Sequence, residues 1–274
     1  MKRMFLLLTG FCFALGLQAQ ETEKSDTVKI GNITIIKKDD GKSKGSSSND
    51  TEVKIEKKKS KGKSTNWGIV DIGINQFNDQ TNYSSAAIQD PSTGFAPGAN
   101  EDWFKLRNNK SINVNIWIFT QRVSLIKDVV NLKYGIGLEL NNYRFSRQVK
   151  FNTDPTKVVL DNSTSYSKNK LAADYLTVPM MLNFNLTPKK KNPVGFSAGV
   201  SAGYLYSSRQ KTITAADGKQ KTRNDFDLRP FKLSYVGELN LGFIRLYGSL
   251  ATQSMFKKGL DQTPYNIGIR LSNW

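Results

Sequence analysis

Histidine is absent from this 274-residue chain, cysteine occurs once, at Cys12, and beyond residue 17 there is no long uninterrupted apolar run. Each absence excludes a class of protein. Without imidazole there is no base for a Ser/His hydrolase or an Asp/His barrel protease or acyltransferase, and the usual zinc and copper ligand is missing. A lone cysteine makes neither a disulfide framework nor a thiolate metal site, so stability must come from packing or from a membrane. A helical span needs about 20 consecutive apolar residues, and nothing after the N-terminus supplies them. Carboxylates alone can serve as acid and base, yet no close acidic pair stands out. The expectation is a non-enzymatic chain with no metal and no cofactor.

What the chain does have begins with a leader. Lys2 and Arg3 precede an apolar stretch over 5–17 and then Leu17-Gln18-Ala19, the small residue last. This reads as a secretory signal over 1–19, with the mature chain starting at Gln20. Cys12 lies deep in the apolar stretch behind bulky Phe11, a poor context for lipidation. Residues 20–64 are rich in Lys, Ser, Gly and Asp, with the runs Lys57-Lys58-Lys59 and Ser46-Ser47-Ser48. That is the composition of a flexible, basic, low-complexity segment, placed in the periplasm by export. Inside it, Val28-Lys29-Ile30 and Ile33-Thr34-Ile35-Ile36 flank Gly31-Asn32, a hairpin signal. An isolated hairpin is only marginally stable; the alternative is a strand that docks on the sheet edge of a periplasmic partner. The net charge of +17 would suit nucleic acid in a cytosolic protein, but export leaves lipid phosphates as the anions within reach.

From residue 65 to 274 the pattern changes to eight alternating segments. The clearest starts at 130: Val130, Leu132, Tyr134, Ile136, Leu138 and Leu140 are large and apolar, while Asn131, Lys133, Gly135, Gly137, Glu139 and Asn141 are polar or glycine. The others cover 67–77, 111–121, 175–186, 194–206, 230–241, 243–253 and 265–274, each long enough to cross a bilayer as a tilted strand. Pro179 falls within the segment over 175–186, where a bulge or break is expected because proline cannot donate to a ladder. The connections after the first, third, fifth and seventh segments are long and the rest short. The pattern predicts an all-β fold, an eight-stranded antiparallel transmembrane β-barrel of the outer membrane. Long loops lie outside and both termini in the periplasm.

Alternation alone does not say which face meets lipid, so a soluble barrel with a greasy interior is the structural rival. Against it, the polar positions carry small residues (Gly73, Gly135, Gly137, Gly195, Gly199, Gly203), as a narrow lumen requires. Aromatic residues also gather at strand ends. Phe184, Phe196 and Tyr134 lie toward the short turns, and Phe77, Phe145, Tyr175, Tyr204, Tyr206 and Tyr265 toward the long loops, in the manner of two interfacial girdles. Trp274 ends the chain on the polar parity.

The polar parity also carries the charges Asp71, Lys133, Glu139, Lys232, Glu238, Arg245 and Arg270. They form either a charged pore or an ion-paired plug, and the narrow interior of eight strands favours the plug. A turn centred on Leu241-Gly242 would set Glu238 directly across from Arg245, with Arg270 and Asp71 extending the pair. Arg144, Arg147, Lys168, Lys170, Arg209, Lys211, Lys257 and Lys258 flank the long loops and could contact phosphates of outer-leaflet lipopolysaccharide.

Three stretches carry a family likeness: 111–119 (SINVNIWIF), 131–145 (NLKYGIGLELNNYRF) and 175–184 (YLTVPMMLNF). With them, residues 65–274 resemble the PorT-like outer-membrane β-barrel proteins, related in architecture to the small OmpA and OmpX barrels. That resemblance implies location more firmly than task, since the group includes a type IX secretion component beside many barrels without an assigned role. Taken with the missing catalytic groups and the filled lumen, the expected role is that of a non-enzymatic envelope structural or surface-interaction protein. The alternative is a narrow pore or a subunit of a type IX-like secretion machine.

Overall fold

The computed structural model describes residues 27–30, 33–36, 56–57, 62–188, 190 and 192–271, so the leader over 1–19 and Trp274 lie outside the described residues. The chain divides after Lys61 into two units. In the first, β1 (Thr27–Ile30) and β2 (Ile33–Ile36) pair antiparallel as the hairpin expected around Gly31-Asn32, and β3 (Glu56–Lys57) adds to β2.

The second unit is a closed antiparallel barrel. Its wall strands are β4 (Lys63–Asp79), β5 (Ile112–Ile126), β6 (Val130–Arg144), β9 (Tyr166–Asn185), β10 (Val194–Thr214), β12 (Phe231–Leu241), β13 (Arg245–Ala251) and β14 (Gln262–Leu271). Each bonds to the next, and β14 closes the ring on β4 with Arg270 opposite Asp71. Two small pieces sit outside the ring. A hairpin of β7 (Val149–Asn152) and β8 (Lys157–Leu160) lies in the second long connection, and β11 (Gly218–Arg223) extends the edge of β10.

Period-2 patterning decides which side chains face out. Leu182 is 44% exposed and Ile267 54%, whereas Asp71 and Asn113 are fully buried. The apolar face is therefore the outer wall, which rules out the soluble barrel with a greasy interior. Parity switches where the register slips. Gly68, at φ +65°, interrupts the β4–β5 ladder between Trp67 and Ile69, and β5 shifts between Trp117 and Phe119. Trp67 consequently points outward while Ile69 is buried. Pro179 makes no bulge against β10, where it stands opposite Ser201, but the expected break occurs on its other side, where Gly135 and Ile136 of β6 are left out of the ladder. Across β6 the ladder resumes in the same register on either side of it, from Tyr134–Met180 to Gly137–Thr177.

Two expectations need correction. First, β9 begins at Tyr166 and β10 runs to Thr214, so 166–174 and 207–214 are strand and not loop. These polar stretches pair with each other beyond the apolar band, and nothing in their hydropathy separates them from loops. Second, Phe145 and Tyr175 are buried, and Phe77 is partly so. They join no outer girdle; Tyr204, Tyr206 and Tyr265 do lie exposed at that end.

The buried aromatics belong to a core absent from the sequence reading. All four long connections fold over the barrel end. Ile88, Phe95 and Phe104 come from the first, Phe145, Phe151 and Val158 from the second, Phe226 and Leu228 from the third, and Met255, Phe256 and Leu260 from the fourth. Phe151 stacks parallel to Phe256 at 6.2 Å between ring centroids and meets Phe226 edge-on at 5.9 Å. The loops thus form an apolar cap at one end of the lumen.

Candidate functional site

The lumen begins with strand register. Because β14 pairs with β4, Arg270 stands beside Asp71 and grips it with two parallel bonds, Nε to Oδ1 at 2.7 Å and Nη2 to Oδ2 at 3.0 Å. Its remaining nitrogen, Nη1, reaches Glu238 Oε1 on β12 at 2.7 Å. Lys133 of β6 donates to the other oxygen of Glu238 from across the barrel. Trp117 Nε1 donates to Asp71 Oδ2 at 2.7 Å, which satisfies an inward indole. The chain Lys133, Glu238, Arg270, Asp71 therefore ties four strands together through the middle.

A second level lies toward the cap. Glu139 accepts from Lys232 Nζ, from Thr177 Oγ1 at 3.3 Å and from Asn141 Nδ2 at 3.2 Å. Lys232 also sits 4.6 Å from the centroid of the Tyr175 ring, a cation–π contact. Tyr247 donates to Asn113 Oδ1 at 2.6 Å, and Asn113 donates to Asn141 Oδ1 at 3.1 Å. Lys133, Lys232 and Arg270 balance Asp71, Glu139 and Glu238, so these six charges sum to zero. Buried charges persist when paired and hydrogen-bonded in this way.

Space follows from this packing. Between the two levels, bounded by Asp71, Trp117 and Glu139, the gap is about 30 Å³, room for a water or two. At the short-turn end the lumen widens into a vestibule of about 320 Å³, with Arg122, Lys190 and Arg245 at its rim and Lys133, Glu238 and Arg270 on its floor. Among the described residues there is no cluster of side chains that could hold a metal ion.

The structure brings together six of the seven expected lumenal charges and places Arg245 at the mouth. The expected face-to-face register of Glu238 with Arg245 is not found: Tyr247 stands opposite Glu238, and Asn240 opposite Arg245. The reason is the turn. Leu241 N–H bonds Ile244 C=O at 2.8 Å, and Gly242 has φ +87°. The two-residue turn is thus centred on Gly242-Phe243, with glycine at the first central position as a II′ turn requires. Moving the centre by one residue moves the register by two, so parity survives while partners change. Trp117, Tyr247 and the asparagines were missed. Their inward parity was legible, but an aromatic residue at a polar position carries no mark of its role until a partner such as Asp71 is placed beside it.

The basic residues flanking the long loops separate into two groups. Arg147 lies 3.8 Å from Asp102, Lys257 2.8 Å from Asp225 and Lys258 3.4 Å from Asp227, all ion pairs within the cap. Arg144, Lys168, Lys170, Arg209 and Lys211 instead lie on the outer wall of β6, β9 and β10, where Arg209 pairs with Asp174.

A closed antiparallel ring, apolar outside and polar within, defines a transmembrane β-barrel of the outer membrane. The family comparison gives the same result: residues 70–261 match the model of the outer membrane protein beta-barrel domain, and the chain belongs to that family. No curated protein matches the sequence.

Proposed function

We propose that the protein is a non-enzymatic, non-conducting barrel of the outer membrane, with an envelope structural or surface-interaction role. The observation that supports this most is that the lumen is obstructed twice, by a charge-balanced network and by a packed apolar cap. An eight-stranded interior is just wide enough for side chains to fill, and here they fill it with paired charges. Within this reading residues 1–19 are a cleaved leader, 20–64 a periplasmic segment, and both termini face the periplasm with the cap outside. Outer-membrane lipid and lipopolysaccharide are the partners of the outer wall. The test is reconstitution in planar bilayers: the folded barrel gives no steady single-channel current, and a reproducible conductance step would refute the reading.

A second reading has one observation in its favour. The separate sheet of β1, β2 and β3 offers an edge on which another protein could add a strand, as a PorT-like subunit of a type IX-like secretion machine would need. Co-purification of a periplasmic protein that is lost on deleting residues 21–61 would move the assignment to that reading.

A further inference from the structure

Beyond Tyr204 and Tyr206 the wall of β9 and β10 continues past the apolar band, and there the register sets cation against cation. Arg144 of β6 lies opposite Lys170 of β9, Lys170 opposite Lys211 of β10, and Lys211 opposite Lys221 of β11. All four share the outward parity. Their neighbours Tyr143, Leu171 and Gln210 point inward and are buried, and the slip between Leu205 and Ser207 switches the parity of β10 below them. In the adjoining rows Lys168 and Lys219 flank Ile213, and Arg209 opposes Arg223.

Like charges directly across a ladder destabilise a sheet, and this sheet carries three such contacts in succession. The row contains no acid. Lys170 Nζ is met by the neutral amide oxygen of Asn142, and Arg144 Nη2 by the Ser167 carbonyl at 2.8 Å. Arg144 Nε is buried without a hydrogen-bond acceptor. Such an arrangement is relieved by an anion that spans it. With strands about 4.8 Å apart, the row is about 14 Å long, too long for one phosphate and suited to a headgroup that carries two.

We propose that this outward face of β6, β9, β10 and β11 binds the phosphorylated headgroup of an outer-leaflet glycolipid, with Arg144, Lys170, Lys211 and Lys221 taking its phosphates. The proposal rests on the reading of the chain as an outer-membrane barrel with its cap outward. It narrows the lipopolysaccharide contact to one wall, drops the cap residues Arg147, Lys257 and Lys258, and adds Lys221. The site stands where the apolar band ends, at the depth of headgroups, and its charge is opposite to theirs.

The test uses the full chain refolded in zwitterionic detergent and titrated with labelled bisphosphorylated lipid A, dephosphorylated lipid A and phosphatidylglycerol. Gel migration with and without heating reports barrel closure for each protein. The expected result is that bisphosphorylated lipid A binds best, that Lys221→Gln, outside the ring, weakens it about fivefold, and that Lys170→Gln/Lys211→Gln/Lys221→Gln weakens it about a hundredfold. Without lipid, the triple variant should unfold at higher urea than the wild type, because the repulsion is gone. A compact wild type that binds the three lipids alike, or a compact Lys221→Gln variant that binds as tightly as wild type, overturns the site alone. A wild type that never migrates as a compact form overturns the barrel reading and the site with it.

Discussion

At the scale of single residues the lumen is crowded enough to reverse an intuition about glycine. Gly137 looks replaceable, since it sits on the polar face where serine is common. A β-carbon there would meet Trp117 Cε3 at 2.6 Å and the Ile116 carbonyl oxygen at 2.7 Å, and Trp117 is anchored by its bond to Asp71. Gly137→Ser should therefore cost about 1–3 kcal/mol by overpacking. That is comparable with Leu138→Arg on the lipid face, about 2–4 kcal/mol near the midplane. Urea titration of refolding into vesicles compares the two, and a neutral Gly137→Ser would show that Trp117 can move. The second residue-scale prediction concerns Glu238, which holds Lys133 and Arg270 at once. Removing its charge leaves Lys133 uncompensated, whereas Arg270 keeps Asp71. Glu238→Gln should cost about 3–5 kcal/mol, and adding Lys133→Met should recover part of that loss in a double-mutant cycle. Additive costs would mean the two groups do not share one interaction. The charges were legible as inward-facing from parity. The joining of Arg270 and Asp71 to Glu238 was legible as well, but the pairing of Lys133 with Glu238 was not, because the two are 105 residues apart and meet only through the registers of the strands between them.

At the scale of elements, the membrane-crossing parts of the strands could be read because lipid on one side and a polar lumen on the other impose strict alternation. In the ends of β9 and β10 the inward face is itself largely polar, with Asn169 and Gln210 buried behind outward Lys170 and Lys211, so alternation there has little hydropathic contrast to reveal it. The cap was hidden for another reason: Phe95 and Phe104, Phe151, Phe226 and Phe256 come from four separate connections, and their convergence has no local period. The β12–β13 hairpin shows how finely a turn sets partners. Its II′ centre at Gly242-Phe243 places Asn240 opposite Arg245, whereas a turn one residue earlier would oppose Glu238 to Arg245. Disulfide formation separates the two, since bridged residues need Cα atoms within about 7 Å and diagonal neighbours stand about 7–8 Å apart. Asn240→Cys with Arg245→Cys should cross-link on mild oxidation in the folded barrel, and Glu238→Cys with Arg245→Cys should not. The reverse outcome would restore the earlier register.

At the scale of the whole molecule, the barrel carries two obstructions in series, and series logic makes a prediction that neither alone could make. The cap closes one end with aromatic packing around Phe151 and Phe256; the network closes the middle with paired charges. Truncating both rings, Phe151→Ala with Phe256→Ala, should cost roughly 3–5 kcal/mol per ring in the cap. The barrel wall would be left intact, because its ladders do not pass through the cap. Clearing both levels of the network, Lys133→Ala with Glu238→Ala and Glu139→Ala with Lys232→Ala, removes two neutral pairs, leaves Arg270 bound to Asp71, and opens the lumen without stranding a charge. Current through resistances in series is limited by whichever remains. Neither the cap variant nor the network variant should conduct in planar bilayers, while the variant combining both sets of changes should show a small steady step, with heat-modifiable migration confirming a closed ring in all three. A step from the network variant alone would mean the cap is porous and the ion pairs are the sole gate. A step from the cap variant alone would mean that the paired charges part readily enough to pass ions, and the lumen would then have to be regarded as a channel with a lid.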